Sequence, residues 1–512
     1  MSSHEEGGAA AATSIPGTGR AVSTHQTNTT INKKLPEIAI AVEEGGFNLS
    51  NDDTERLNSL AKALEGDRLF EPKAKPLIRK VPSTLCIPKD FAKYFKPRVI
   101  SIGPIHHGDP ALDGSEPLKL ILAAHFVKNI GVEEKKLYNI IKTEIGSLKK
   151  CYDPKELERF DDEQLAWMFF LDGCAILQAI LQGDGEEQPQ SKMNIKNDLL
   201  TFVHLDLLLL QNQLPHEVLR LLTSSSSNGY GKNFMESVRR FIENNVITPA
   251  EMKEQQKQKR PSPSPQAEMK KQLKQQPSAQ EQEEAVHLLD RLRKRLILEK
   301  TKEKGGKQFG RNWISEFIRS SSNRGRTESR YSQTFRNVKE LRAAGIWLKP
   351  SPSSCLKDVS FGRVCCKGNL WLPPITVDDS TGPKFMNLIA YEMCPDFEND
   401  FTVTSYICFL DSLIDEAEDV KELRDSGILY NGLGSDEEVA KLFNKMNTDL
   451  VPSPTIYSDV KWQVQRHCRN IWINYAAQAY YTHFNSPWTI LAFVAAIAAL
   501  LLSALQTYYT IK

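Results

Sequence analysis

The chain has 512 residues, 40% hydrophobic and 25% charged, which is enough for a sizeable buried core and two or three domains. Lys plus Arg number 65 against 64 Asp plus Glu, so the net charge of +1 excludes a global field that would draw the molecule to nucleic acid. Nine scattered cysteines with no C-x-x-C pair and no close Cys/His spacing argue against a zinc or disulfide framework and read as reduced, mostly buried thiols.

Residues 1–75 are polar and rich in small side chains, which predicts a largely disordered tail with one helix over Asp52–Leu64. Met1–Ile31 has no apolar run behind a basic segment, so no secretory signal is expected, and Ser2 stands where myristoylation needs glycine. The sequons at Asn28 and Asn48 read as chance matches.

A helical lobe is expected over 76–247. It opens with SIGPIHHG at Ser101–Gly108, an extended step followed by a Gly/Pro turn, and continues with helical patterning from Pro117 through Cys151. Asp161–Gln182 predicts a helix capped by Asp161 or Asp162 and apolar on nearly every face, hence buried. Asn197–Gln211 predicts a second such helix, ending at the Pro215 step where the chain restarts as His216–Leu222. Asp172, His204 and Asp206 lie inside these apolar stretches, where a carboxylate or imidazole must be hydrogen-bonded or strongly shifted in pKa. They are acid/base candidates in principle, but the favoured reading is that they satisfy helix ends and backbone groups. The adjacent His106 and His107 diverge in direction, lack an i, i+4 partner and read as structural.

The segment 248–285 is dominated by Lys, Gln, Glu, Ser and Pro and predicts a disordered insert. Between 251 and 340 there are 22 Lys plus Arg against 12 Asp plus Glu. This basic arm is a candidate for contact with anionic lipid or RNA, or a solvated linker. Without interleaved aromatics, no nucleic-acid partner is expected. Within it Glu281–Lys300 predicts an amphipathic helix carrying Leu288, Leu289, Leu292 and Leu296, docked on the fold or on a partner.

A second helical lobe with short strands is expected over 286–480. RNVKELRAAGIWLKP predicts a helix stopped by Gly345 and an extended stretch after it. Asp358–Phe361, Val364–Cys366 and Asn369–Leu372 predict short antiparallel strands turning at Lys367–Asn369, with Cys365 and Cys366 on opposite faces. Asp378 and Asp379, ahead of the helical KFMNLIAYEMC, read as a cap and not as a metal site. GSDEEVAKLFNKM starts with Ser435 and has Glu438 three residues on, a capping-box pattern.

Phe484–Ile511 contains no charged residue and Trp488–Leu505 is almost wholly apolar, which predicts a transmembrane helix over 486–509. Ser486 and Pro487 suit its start, and Trp488, Tyr508 and Tyr509 suit aromatic belts at both interfaces. Contact with the membrane is therefore expected through Trp488–Tyr509. Insertion of a segment this close to the C-terminus would leave the bulk of the chain in the cytosol, with the plasma membrane as the expected location; Arg466 and Arg469 favour that orientation. The fold class that follows is mainly α: a multi-helix globular domain with a small antiparallel β element and one C-terminal transmembrane helix.

Five blocks together carry a family resemblance: SIGPIHHG at 101–108, AWMFFLDGC at 166–174, DLLLLQNQLP at 206–215, ITVDDSTGPKFMNLIAYEMC at 375–394 and NGLGSDEEVAKLFN at 431–444. In order and spacing the chain resembles the plant "domain of unknown function 247" family over Leu77–Tyr509, the terminal tail and the insert falling outside. Gln211, where the family shows an acidic residue, and Ala175-Ile176, in place of bulkier residues, are departures. The resemblance implies a plant membrane protein without an established enzymatic activity, some members of the family in grasses acting in pollen–stigma self-incompatibility. No GxxxxGK[ST], GxSxG, HExxH, kinase set or Cys/His nucleophile pattern occurs, so no catalytic, cofactor-binding or metal-ligating residue is assigned and no cofactor is expected. Two functional readings follow: a non-enzymatic, membrane-tethered recognition, signalling or adaptor protein with an unknown protein partner, or an enzyme working through Asp172, His204 and Asp206 or the Asp378-Asp379 corner.

Overall fold

The computed structural model of the chain describes residues 50–65, 76–85, 91–183, 193, 195–226, 229–246, 285–298, 336–364, 367–397, 400–447, 450–469 and 487–511. Most of the tail, the insert, the Cys365-Cys366 pair and Ser486 lie outside them. The chain forms two compact units, Met1–Asp67 and Arg68–Lys512. In the first, helix α1 (Asn51–Glu65) is opened by Ser50, whose Oγ accepts the Asp53 N–H at 3.2 Å.

The second unit is mainly helical. Its first part holds α2 (Phe91–Phe95), α3 (Ser115–Ile130), α4 (Glu134–Leu148), α5 (Asp162–Gly183), α6 (Asn197–Asp206), α7 (His216–Ser224) and α8 (Tyr230–Asn244). Then follow α9 (Leu288–Ile297), α10 (Val338–Ala343), β1 (Ile346–Pro350), β2 (Ser360–Val364), β3 (Lys367–Leu372), β4 (Ile375–Val377), α11 (Thr381–Glu392), α12 (Thr402–Asp411) and α13 (Ala417–Asp425). β5 (Leu429–Asn431), α14 (Asp436–Met446), α15 (Ser458–Cys468) and α16 (Pro487–Ile511) complete it.

Helix α5 is the axis of the first part, packing against α3, α4, α6, α7 and α8. Its start is a reciprocal cap: Asp161 Oδ1 accepts the Gln164 N–H at 2.8 Å, and Gln164 Oε1 accepts the Asp161 N–H at 3.0 Å. Fifteen of its 22 residues are buried. Each fully buried Leu, Ile, Phe or Met among them contributes about 1.5–3 kcal/mol relative to exposure, which makes this helix the main source of apolar stabilisation here. α9 joins the halves, packing on α8 on one side and on α11 and α12 on the other. Its Leu288, Leu289, Leu292 and Leu296 are all buried, so the amphipathic stretch docks on its own fold. One contiguous core runs from Ile78 to Cys468.

Three details differ from the sequence reading. The apolar stretch expected as one helix over Asn197–Gln211 ends at Asp206. Asn212 Nδ2 donates to the Asp206 carbonyl at 3.0 Å, and Gln213 Nε2 donates to those of Leu207 and Leu209 at 2.9 and 2.7 Å; these claims on the carbonyls close the helix. Lys367 and Asn369 lie within β3, paired with Val364 and Gly362 of β2, so the hairpin does not turn at Lys367–Asn369. The antiparallel element is this β2–β3 hairpin; β1 adds to it in parallel to give the order β1-β3-β2, and β4 pairs in parallel with β5. One expectation is met closely and one in half: Gly345, at φ 76°, ends α10 before β1, and of the capping box expected at α14 the Ser435 Oγ accepts the Glu438 N–H at 3.2 Å.

Both α5 and the Leu491–Ile511 span are long and apolar enough to cross a bilayer. They differ in environment: 89% of the most apolar 18-residue stretch of α5 is buried inside the protein, against 0% for the C-terminal span.

Candidate functional site

The SIGPIHHG block lies in a strap, residues 98–108, that is buried over Ile100–Pro104 and is neither helix nor strand, so its backbone donors need other partners. Side chains supply all of them from Arg98 to Gly103. Asp206 accepts the N–H groups of Arg98, Val99 and Ile100 at 3.0, 2.7 and 3.1 Å. Ser115 Oγ accepts that of Ser101 at 2.9 Å, Asn212 Oδ1 that of Ile102 at 2.7 Å, and Asp172 Oδ2 that of Gly103 at 2.7 Å. Gly103 sits at φ 70°, and a Cβ there would stand 2.7 Å from the Gln213 carbonyl and 2.9 Å from Tyr152 Oη, so glycine is required twice over. Beyond it, Arg159 donates to the carbonyls of Pro104, Ile105 and His107.

Two further blocks, 206–215 and 375–394, close on the same hub. Tyr152 Oη donates to the Gln213 carbonyl at 2.8 Å, and Gln213 Oε1 accepts the Leu289 N–H at 3.1 Å. Asn387, from the GPKFMNLIAYE stretch, accepts the Leu210 N–H at 2.7 Å and donates to the Tyr94 carbonyl at 2.7 Å.

A chain of ionisable groups leads from this hub to the surface. Asp172 Oδ1 lies 2.7 Å from Lys119 Nζ, which lies 2.6 Å from Glu116 Oε1, itself 3.5 Å from His107 Nδ1. Burial raises the Asp172 pKa, opposed by Lys119 and the Gly103 N–H. Burial acts to lower that of Lys119, but the attraction of Asp172 and the hydrogen bonds of both carboxylates outweigh it and hold the ammonium above its ordinary value. Above Lys119 opens a cavity of about 160 Å³, rimmed by His107, Glu116, Phe160, Gln164 and Trp167. Trp167 is 49% exposed.

Each candidate from the sequence has its own neighbour. His204 Nε2 lies 3.0 Å from the Ala179 carbonyl, and burial lowers its pKa. Asp206, raised by burial, is held back by three N–H groups. Among the described residues no hydrogen bond or ion pair joins Asp172, His204 and Asp206 to one another. His106 is buried with its pKa lowered to about 4 by desolvation, while His107 reaches the cavity rim, so the adjacent pair does diverge. Asp378 Oδ1 accepts the Ser380 N–H at 2.9 Å and the Thr381 hydroxyl at 3.2 Å at the start of α11, whereas Asp379 is exposed. Among the described residues no group of three or more His, Cys, Asp or Glu is placed to hold a metal.

Sequence reasoning missed Lys119, Ser115, Asn212 and Asn387, and a second buried ion pair. Glu392 lies 2.8 Å from Arg293 Nη2 and accepts the N–H groups of Val403 and Thr404 at 3.0 and 2.9 Å, anchoring the start of α12. Burial raises its pKa against the pull of Arg293. For Lys119, Asn387 and Glu392 the local signal is a polar side chain inside a largely apolar helix, whereas Ser115, at the start of α3, and Asn212, in the turn after α6, lack it. Chemically the arrangement holds charge still: each of these carboxylates is engaged by backbone donors, a counter-charge or both.

Residues 78–502 match a family described as a plant protein of unknown function, DUF247. The chain is 28% identical over 438 residues to UPF0481 protein At3g47200 of Arabidopsis thaliana, covering 82% of this chain and 84% of that protein. It is 30% identical over 176 residues to putative UPF0481 protein At3g02645 of the same plant, covering 34% and 33%. No solved structure matches.

Proposed function

The chain belongs to the plant DUF247 family of unknown function, and from that premise we propose that it is a non-enzymatic recognition or adaptor protein, tethered to a membrane by α16 and displaying its helical domain to a protein partner. The observation that carries this reading is the use made of the buried carboxylates. Asp172, Asp206 and Glu392 hold backbone amides in place, which builds a rigid surface and leaves none of the three facing an open cleft as an acid or base. The competing reading, an enzyme working through Asp172, His204 and Asp206, finds each of these already occupied. The exposed indole of Trp167, beside Glu116 and His107, is the kind of half-apolar, half-polar rim at which partner proteins anchor.

In this proposal the domain faces the cytosol at the plasma membrane. The test is an N-terminal fluorescent fusion in plant cells, with and without residues 488–512, combined with protease protection and proximity labelling on isolated membranes. The full chain is expected on membranes with its domain digested from the cytosolic side, and the truncated chain in solution. Recovery of labelled partners should fall in Trp167→Ser. A truncated chain that stays membrane-bound, or a protected domain, refutes the tether and its orientation; partner recovery indifferent to Trp167→Ser refutes the recognition rim.

A further inference from the structure

The three-stranded sheet β1-β3-β2 buries Ile346, Leu348, Leu370 and Leu372 on its inner face. Strand alternation and the register of the pairs place Trp347, Lys349, Gly362, Lys367, Asn369 and Trp371 on the other. That face carries two tryptophans and two lysines and no carboxylate. Both tryptophans are half-buried and both lysines exposed.

The geometry is that of a flat aromatic platform with cations laid over it. A Cβ at position 362 would stand 3.0 and 3.2 Å from the Trp371 ring, so the indole of β3 rests across the bare backbone of β2 and glycine is what lets it lie down. Lys349 Nζ stands 5.9 Å from the Trp371 centroid, and Lys367 Nζ 6.0 Å from that of Trp347. The Arg342 guanidinium lies 4.1 Å over Trp347, oriented at 2.9 Å by Glu422 beyond the edge of the sheet.

We propose that this face docks on the anionic headgroup layer of the membrane that holds α16. Indole rings favour the boundary between water and acyl chains, and lysines beside them are drawn to acidic lipid; a bilayer surface is the partner that accepts both on one flat area. The inference rests on the tether proposed above, which keeps the domain near a bilayer. It adds a second point of attachment, which restrains how the domain is presented.

The test uses the full chain in nanodiscs of phosphatidylcholine alone and with roughly a third phosphatidylserine. The rate of amine labelling at Lys349 and Lys367 is read by mass spectrometry against exposed Lys421 on α13. A slowing of roughly fivefold at both lysines in the anionic discs is expected, relieved by high salt. In discs with brominated acyl chains, Trp347→Phe with Trp371→Phe should lose part of the wild-type quenching. Equal labelling in both discs overturns the docking face, as does protection by added single-stranded RNA in neutral discs with none from phosphatidylserine. Incorporation into discs is scored separately, so a chain that inserts but labels equally refutes the face and spares the tether.

Discussion

Replacing Asp206 by alanine is the sharpest perturbation of the strap. Three N–H groups lose their acceptor, that of Ile100 in a fully buried position and those of Arg98 and Val99 in partly buried ones. An orphaned buried donor costs about 1–3 kcal/mol, and hydrogen bonds to a charged group contribute about 1.5–3 kcal/mol each. Water reaches the two outer amides in the variant and restores part of that, and removing the carboxylate also relieves its burial, visible in its raised pKa. The net expectation is a loss of about 3–4 kcal/mol. Denaturant unfolding of the full chain in detergent, followed by tryptophan fluorescence, measures it as a lowered midpoint at unchanged slope. Hydrogen exchange supplies the local readout: amides 98–100 should exchange much faster, while 102 and 103, held by Asn212 and Asp172, change less. A loss under about 1 kcal/mol, or undiminished protection at 98–100, refutes the claim that Asp206 holds the strap.

Gly103→Ala places a Cβ against the Gln213 carbonyl at positive φ and should cost about 2 kcal/mol or more, visible as a lower melting temperature. Lys119→Met leaves Asp172 buried without its cation and should cost about 3–5 kcal/mol, with much of the loss recovered in the double variant with Asp172→Asn; a double-mutant cycle reads the coupling. His106 and His287, both lowered to about 4 by burial, stay neutral in the fold while the unfolded chain protonates near 6.5. Their contribution is therefore present above pH 6.5 and lost as pH falls through 4, by at most about 3 kcal/mol each. The raised carboxylates act in the opposite sense, so the measurement is the difference in pH slope between the wild type and His106→Gln with His287→Gln, which should unfold with a flatter acid limb.

Much of the fold was legible because its signals are local. The α5 cap, the apolar faces of α5 and α9, the stop at Gly345 and the uncharged run of α16 each lie within one element's own residues. The hub was legible only as a question. Asp172 and Asp206 announced themselves as polar groups in apolar helices, but their partners stand 69 and 106 to 108 residues away, and Leu210 meets Asn387 across 177. No periodicity encodes such a pairing. The short α6 has a nearer cause: nothing in NDLLTFVHLDLLLLQ marks a stop, which comes from Asn212 folding back on the last helical carbonyl, at Asp206, and Gln213 on those of Leu207 and Leu209 just beyond.

The six amides of the strap have an implication for the order of assembly. Their acceptors come from α3, α5, α6 and the turn after it, at sequence separations of 14 to 110 residues, so no local fragment can hold the segment before those elements have met. In refolding the strap should gain protection last and together with the helical core, a slow, high-contact-order step that makes it a sensor of completed packing. On the ribosome the same logic delays its ordering until at least Asn212 has emerged, and its Leu210 neighbour waits for Asn387.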